Sequence, residues 1–188
     1  MFDMFYPDRY IASTYVIDFE KLYEEGYRGL IFDIDNTLVP HGAPADNRAI
    51  ALFDRLRKIG FRSCLISNNQ EPRVKMFNQD IQTDYVYNAH KPSTKNYIKA
   101  MEIMGTDRSN TLFIGDQLFT DVRGAKRAGI HNILVKPIHP KEEIQIVLKR
   151  YLEKIVLHFY KKSKKRLKKV LTKGEKGGIL TKLSREGR

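Results

Sequence analysis

Three short apolar runs in this chain each stop at a cluster of polar residues, and that pattern constrains the fold more than any other feature. Leu30-Ile31-Phe32 leads into Asp33-Ile34-Asp35-Asn36-Thr37-Leu38. Cys64-Leu65-Ile66 ends in Ser67-Asn68-Asn69, and Leu112-Phe113-Ile114 ends in Gly115-Asp116-Gln117-Leu118-Phe119-Thr120-Asp121. Continuous apolar runs this short suit strands buried on both faces. Strands are predicted at about 29–34, 61–66, 84–87, 111–115 and 132–136, with helical stretches near 46–59, 71–80, 93–104 and 119–128 between them. Gly60, Gly105 and Gly129 stand where helices should stop. Strand–helix alternation implies an α/β fold, a parallel sheet with helices on both faces. In such sheets ligands bind at the carboxyl ends of the strands, which is where the polar clusters fall.

The residue types in those clusters suit one kind of chemistry. A carboxylate such as Asp33 can attack phosphorus and form a covalent intermediate that water later hydrolyses. Asp35, two residues on, lies on the same side of an extended chain and can protonate the leaving oxygen, then activate the water. Phosphate and nucleophile are both anionic, so cations are needed. Mg²⁺ takes a few carboxylate oxygens together with substrate phosphate and water. Lys91, in His90-Lys91-Pro92-Ser93, adds a compact positive charge, and hydroxyl or backbone N–H groups can hold phosphoryl oxygens. Each residue also has a bland reading: Asp33 as a polar strand end, Ser67 as a helix cap, Lys91 as a solvated charge, Asp121 as a surface residue. Their shared placement at successive strand ends argues against all of these holding at once.

At these positions the chain resembles the haloacid dehalogenase (HAD) superfamily, whose four motifs occur in order from Asp33 to Asp121. The resemblance implies that Asp33 is the nucleophile and Asp35 the general acid/base. Mg²⁺ would be held by Asp33, the Asp35 backbone carbonyl and Asp116. Ser67 and Lys91 would bind the phosphoryl group, with Asn68 helping through its backbone, and Asp121 would support the metal shell or orient Lys91. Within the superfamily the chain is most similar to the lidless IIIA phosphatases of the YqeG type. The residues that carry this are Pro7 to Tyr10 (P-D-x-Y), Asp33 to Val39 (D-I-D-N-T-L-V), Ile66 to Asn69 (I-S-N-N), His90-Lys91-Pro92, and Gly115 to Val122 (G-D-Q-L-x-T-D-V). The resemblance spans roughly 5–160 and implies a HAD-like Rossmannoid three-layer sandwich without a cap domain. Relatives of this type include phosphatidylglycerophosphatases, which act in phosphatidylglycerol and cardiolipin synthesis. The expected activity is therefore Mg²⁺-dependent phosphomonoester hydrolysis, with phosphatidylglycerol phosphate as the favoured substrate. A soluble or nucleic-acid phosphomonoester is the alternative, as is an RNA- or ribosome-associated protein with a vestigial site.

Spacing supports an open site. Only 33 residues lie between Asp33 and Ser67, and 23 between Ser67 and Lys91, which leaves no room for a lid domain. A lid closes over small substrates; an open site accepts a phosphate displayed on a lipid, a protein or a nucleic acid.

Charge divides the chain. From Lys149 onward there are 15 Lys and Arg against Glu153, Glu175 and Glu186, so the other residues balance at 19 each and the net charge of +12 belongs to the tail. Such asymmetry points to an anionic partner, a membrane surface or nucleic acid. The division expected is an N-terminal arm at 1–28, a catalytic core at 29–140, an amphipathic helix at 141–162 and a basic, mobile tail at 163–188. The arm carries eight aromatics, from Phe2 to Tyr27, that suit packing on the core or an interfacial patch. In the helix, Ile144, Val147, Leu148, Tyr151, Leu152, Ile155, Val156 and Phe159 form an apolar stripe, with Lys149, Arg150, Lys154, Lys161 and Lys162 around the other side. This stripe could pack on the core or lie on an anionic bilayer; the basic residues beyond it could bind nucleic-acid phosphates, although the tail lacks interleaved aromatics for base stacking. No apolar run is long enough to span a membrane, and no signal peptide is expected. Cys64 is alone, which fits a reducing compartment, and is read as packing. The enzyme is expected in the cytoplasm, with peripheral contact at the inner face of the membrane. His41 and His90 flank motif residues at the site mouth; His131, His139 and His158 have no metal-ligand spacing.

Overall fold

Alternate residues of each strand enter two separate apolar layers. Leu30 and Phe32 join the layer built with Phe19, Leu22, Leu52, Phe53, Leu56, Val74 and Phe77, while Ile31 joins Tyr97, Ala100, Met101, Ala125 and Ala128 on the other side. This period of two follows from the pleat, and it means the sheet is covered on both faces. The computed structural model describes residues 3–139 and 151–166. Its strands are β1 (Arg9–Ile11), β2 (Gly29–Phe32), β3 (Arg62–Ile66), β4 (Asp84–Val86), β5 (Thr111–Gly115) and β6 (His131–Val135). They form one sheet in the order β1-β6-β5-β2-β3-β4, and every pairing is parallel.

The helices α1 (Phe19–Glu24), α2 (Asn47–Ile59) and α3 (Glu71–Ile81) cover one face, and α4 (Lys95–Met104) and α5 (Arg123–Ala128) the other. Caps set several boundaries. The side chains of Asp18 and Asp46 accept from Lys21 N–H and Ala49 N–H at the starts of α1 and α2. Gly60, Gly105 and Gly129 end α2, α4 and α5 in the left-handed conformation. Burial pushes the Cys64 thiol up to about 12, so it packs as a small apolar side chain.

Topology fixes where a site can form. The chain builds β2, β3 and β4 outward to one side, then returns to place β5 on the other side of β2. The carboxyl ends of β2 and β5 therefore flank the switch point, where a crevice opens. Between Asp33 and Ser67 there is only loop, α2 and β3, and between Ser67 and Lys91 only α3, β4 and their loops.

Two features differ from the sequence expectation. The arm contributes a parallel edge strand, β1, beside β6, and Asp8 fastens the junction by accepting from Asn132 N–H at 2.9 Å and Asn132 Nδ2 at 2.8 Å. The second difference is in the tail. Residues 151–166 are helical, past the boundary expected at 162. Tyr151, Leu152, Ile155 and Phe159, expected to share a stripe with Val156, are exposed, whereas Glu153, Val156 and Tyr160 are buried. The packed face is rotated because Glu153 bonds a backbone N–H of the core and Tyr160 stacks edge-on against Tyr6. Ile144, Val147, Leu148, Lys149, Arg150 and the tail beyond 166 lie outside the described residues. Among the described residues no helix is long and apolar enough to cross a membrane.

Candidate active site

The polar clusters meet at one edge of the sheet because the strands that carry them run parallel and in register. Asp33 extends β2 by one residue, its N–H donating to Ile114 O at 3.0 Å. Ser67 does the same from β3, donating to Val86 O at 3.0 Å. Asp116 follows β5 directly, and Lys91 arrives on the loop after β4, its N–H donating to Asn68 Oδ1 at 2.7 Å. Asn68 thus ties the second cluster to the third through its side chain.

Asp33, Asp116 and Asp121 are buried, and each offers a carboxylate oxygen within 4.8 Å of the others. Lys91 Nζ sits 2.5 Å from Asp33 Oδ1 and 2.8 Å from Asp121 Oδ1. Thr37 Oγ1 reaches Asp33 Oδ2 at 3.2 Å and Asp116 Oδ1 at 3.3 Å. Asp121 also holds the loop, since its Oδ2 accepts from Asp116 N–H at 3.1 Å and Gln117 N–H at 3.0 Å. That close approach requires Gly115: a Cβ there would lie 2.6 Å from Asp121 Oδ2. Beneath it, the Tyr97 hydroxyl donates to the carbonyls of Thr120 and Asp121, and burial raises its pKa well above the ordinary value, so it stays protonated.

Burial and neighbouring charges act against each other within this cluster. Burial is the largest influence on Asp33 and pushes its carboxyl up to about 6; the nearby Lys91 ammonium pulls the other way, and the charges of Asp121 and Asp35 add to the rise. Burial alone would lower Lys91, but the carboxylates of Asp121 and Asp33 outweigh it and hold the ammonium charged. Among the described residues, the Lys91 ammonium pairs with two of the three buried carboxylates, Asp33 and Asp121. Asp121 Oδ1 touches Lys91 without hydrogen-bond geometry and has no hydrogen-bond partner. A buried all-oxygen donor set, with one carboxylate oxygen on Asp121 left without a hydrogen bond, fits a hard divalent cation.

Asp35 belongs to a different arrangement. Its side chain turns from the trio and accepts from Gly42 N–H at 2.8 Å, Asn69 Nδ2 at 2.5 Å and Arg73 Nη2 at 2.8 Å, with His41 Nδ1 at 3.9 Å. The resemblance assigns its carbonyl, not its carboxylate, to the metal, and the side-chain geometry is compatible with that. Ser67 Oγ accepts from Asn69 N–H at 3.1 Å, which aims its own O–H elsewhere.

Thr37, Tyr97, Asn69, Arg73 and Glu153 have no role in the sequence reading, and the last three act away from the carboxylate trio. Asn69 and Arg73 hold Asp35. Glu153, on the helix at 151–166, accepts from Leu118 N–H at 2.7 Å and caps the π-helical turn Leu118–Val122 that carries Asp121. Asn69 stood inside a quoted motif and Arg73 four residues past it, so proximity was the available signal. Nothing in the sequence links Glu153 to Leu118.

Comparison with known proteins follows the same line. A family model described as HAD-hydrolase-like matches residues 88–139. The Bacillus subtilis (strain 168) protein named "Probable phosphatase YqeG" is 36% identical over 159 residues, covering 84% of this chain and 92% of that protein. The Arabidopsis thaliana chloroplastic/mitochondrial phosphatidylglycerophosphate phosphatase 1 is 26% identical over 168 residues, covering 79% of this chain but only 48% of that longer protein. Among solved structures, a HAD-superfamily hydrolase from Ehrlichia chaffeensis superposes with a TM-score of 0.49 at 14% identity, covering 68% of this chain and 97% of that one.

Proposed function

Since the chain belongs to the HAD-superfamily phosphatases of the YqeG type, we propose that it hydrolyses a phosphomonoester through an aspartyl phosphate on Asp33, and that the phosphate is displayed on a lipid, phosphatidylglycerol phosphate. The observation that carries the chemistry is the buried Asp33 carboxylate at the switch point, bonded to Lys91 and beside Asp116 and Asp121.

In this reading an Asp33 oxygen attacks phosphorus, and the bond to the leaving oxygen breaks as Asp35 gives that oxygen a proton. Asp35 then takes a proton from water, which attacks the phosphorus of the aspartyl phosphate and returns Asp33 and inorganic phosphate. Ser67 and Lys91 hold the phosphoryl oxygens, and the backbone beside Asn68 assists. Asp33, the Asp35 carbonyl and Asp116 would hold Mg²⁺, supported by Asp121; when bound it neutralises charge and aligns the reacting groups.

Support for a lipid-borne substrate comes from outside the reacting centre. No lid is built between the motif residues. Tyr151, Leu152, Ile155 and Phe159 form an exposed apolar face on a helix that also carries Lys154, Lys161, Lys162, Lys164, Lys165 and Arg166. Such a helix suits an anionic bilayer. We place the enzyme in the cytoplasm, meeting the inner face of the membrane through this helix and the basic tail. The division into arm, core, amphipathic helix and tail belongs to the same proposal.

The test is phosphate release from phosphatidylglycerol phosphate in mixed micelles with Mg²⁺, beside soluble phosphomonoesters and 5′-phosphorylated RNA. Fast turnover of the lipid that disappears in Asp33→Asn is the expected result. Turnover confined to soluble or RNA phosphates would retain the chemistry and remove the lipid.

A further inference from the structure

We propose that Arg73 reads a second anionic group on the substrate, close to the leaving oxygen, and that binding this group draws Arg73 away from Asp35. The proposal rests on the reading of Asp35 as the acid that protonates the leaving group.

The starting point is what Asp35 is doing. All of its side-chain hydrogen bonds come from donors: Gly42 N–H, Asn69 Nδ2 and Arg73 Nη2. A carboxylate so engaged only accepts. To deliver a proton it must carry one and present it to the leaving oxygen, so at least one of these bonds has to open. Gly42 contributes backbone and Asn69 a neutral amide. Arg73 supplies the charged partner, in an ion pair that is 14% exposed on the arginine and 12% on the aspartate. Removing Arg73 from this largely buried pair without another anion would strand a charge.

Arg73 itself has capacity to spare. Its Nε and Nη1 are buried and have no hydrogen-bond partner among the described residues. Buried N–H groups left unpaired are costly, and they are rare unless something is meant to meet them. A guanidinium carries five N–H donors in a planar fork that matches two oxygens of a phosphate. Arg73 also stands in the first turn of α3, where the helix dipole disfavours a cation. Its guanidinium lies over the Phe77 ring of the same helix at 6.0 Å, and the charge there is offset by an anion nearby. In the present geometry that anion is Asp35.

A group within hydrogen-bond reach of Asp35 is also within reach of substituents a few bonds from the leaving oxygen. The substrate class that satisfies Arg73 is a phosphomonoester whose alcohol bears a second phosphate, as ester or diester, a few bonds from the leaving oxygen. A lipid headgroup and a soluble bisphosphate both have this chemistry. Substrates lacking the second anion leave the Arg73–Asp35 pair closed and turn over slowly for that reason.

The experiment compares two matched pairs on the full-length protein with Mg²⁺. The soluble pair is propane-1,3-diol bisphosphate against 3-hydroxypropyl phosphate; the lipid pair is phosphatidylglycerol phosphate against phosphatidic acid in the same micelles. The quantity read is the ratio of kcat/KM within each pair, so a general loss of activity cancels. The wild type is expected to prefer the two-phosphate member by about thirtyfold, the range of one charge-assisted hydrogen bond. Arg73→Ala should erase the preference and Arg73→Lys, with charge but no fork, should restore part of it. If Arg73→Ala does not fold, Arg73→Gln takes its place. Preference in one pair alone identifies the source of the anion. No preference in the wild type, or a preference that survives loss of the guanidinium, overturns the proposal. Separately, p-nitrophenyl phosphate, which has no second anion and a leaving group that needs no proton, reports on Asp33. If Asp33→Asn hydrolyses it at the wild-type rate, the underlying reading fails instead.

Discussion

The strand-end cluster and the helix at 151–166 are both dense in charge, yet they treat it in opposite ways. In the cluster, Asp33, Lys91, Asp116 and Asp121 come from three parts of the sheet, lie buried, and are bonded to one another, to the Thr37 hydroxyl or to backbone N–H groups. On the helix, Lys154, Lys161, Lys162, Lys164 and Lys165 are exposed, and only Glu153 is taken into the core. Buried charge is costly unless paired, so the cluster persists only as a set with fixed geometry. Exposed charge is solvated and screened, so it imposes little on the fold and stays available to an anionic partner. Glu153 joins the two regions, because its carboxylate caps the turn that carries Asp121.

The comparison can be broken most directly at Asp33. Asp33→Asn should lower hydrolysis on the order of 10⁴-fold while circular dichroism shows the fold retained. The same variant tests the electrostatics. With its folded pKa raised to about 6 from the ordinary 3.8, Asp33 makes the metal-free folded state hold more protons than the unfolded chain in that window. Its contribution to stability is complete below pH 3.8 and is lost as pH rises through 6. In chelator, Asp33→Asn should therefore gain in melting temperature relative to the wild type between pH 4 and pH 7.5. A gain that grows toward acid pH instead would contradict burial as the cause.

Lys91→Met comes next. It leaves two buried carboxylates without their ammonium and should destabilise the metal-free protein by about 3–5 kcal/mol, with recovery on adding Mg²⁺ in denaturant melts. Glu153→Ala leaves the buried Leu118 N–H unpaired and should cost about 1–3 kcal/mol. It should also weaken metal affinity measured by calorimetry, and Glu153→Gln, which can still accept, should recover most of that. If metal affinity is unchanged, the helix and the cluster are independent. The smallest effect concerns the exposed face. Changing Tyr151, Leu152, Ile155 and Phe159 together to Ser should reduce binding to phosphatidylglycerol vesicles about tenfold, or roughly 1.4 kcal/mol for partial burial of the face. Turnover of a soluble phosphomonoester should not follow that loss, and an equal fall in both would show the face to be structural.

Much of the fold was readable because burial on two faces leaves a plain mark. The apolar runs at 30–32, 64–66 and 112–114 became β2, β3 and β5. The strand β1 was not readable: Arg9-Tyr10-Ile11 has no alternation and becomes a strand only because β6 offers an open edge. At the site, Asp33, Ser67, Lys91, Asp116 and Asp121 were marked by their position after strands. Arg73 and Glu153 were not, because an arginine in the first turn of a helix and a glutamate in a basic stretch both look like solvated surface. The exposed face of the tail helix shows the same limit. Periodicity places Tyr151, Leu152, Ile155, Val156 and Phe159 on one side, but the contacts of Glu153 and Tyr160 decide which part of that side is buried.

What the sequence determined alone is local: where the chain is extended, where helices stop, and which reactive groups stand at each strand end, since these depend on neighbours a few residues away. The tertiary structure decided which of those groups touch. Lys91 bridges Asp33 and Asp121, Arg73 holds Asp35, and Glu153 caps the turn at Leu118 only because the parallel sheet, with its reversal between β2 and β5, and the helix packed on it bring residues 30 to 58 positions apart within hydrogen-bond reach. Pairing across such separations is set by the packing of whole elements, and no local pattern in the chain encodes it.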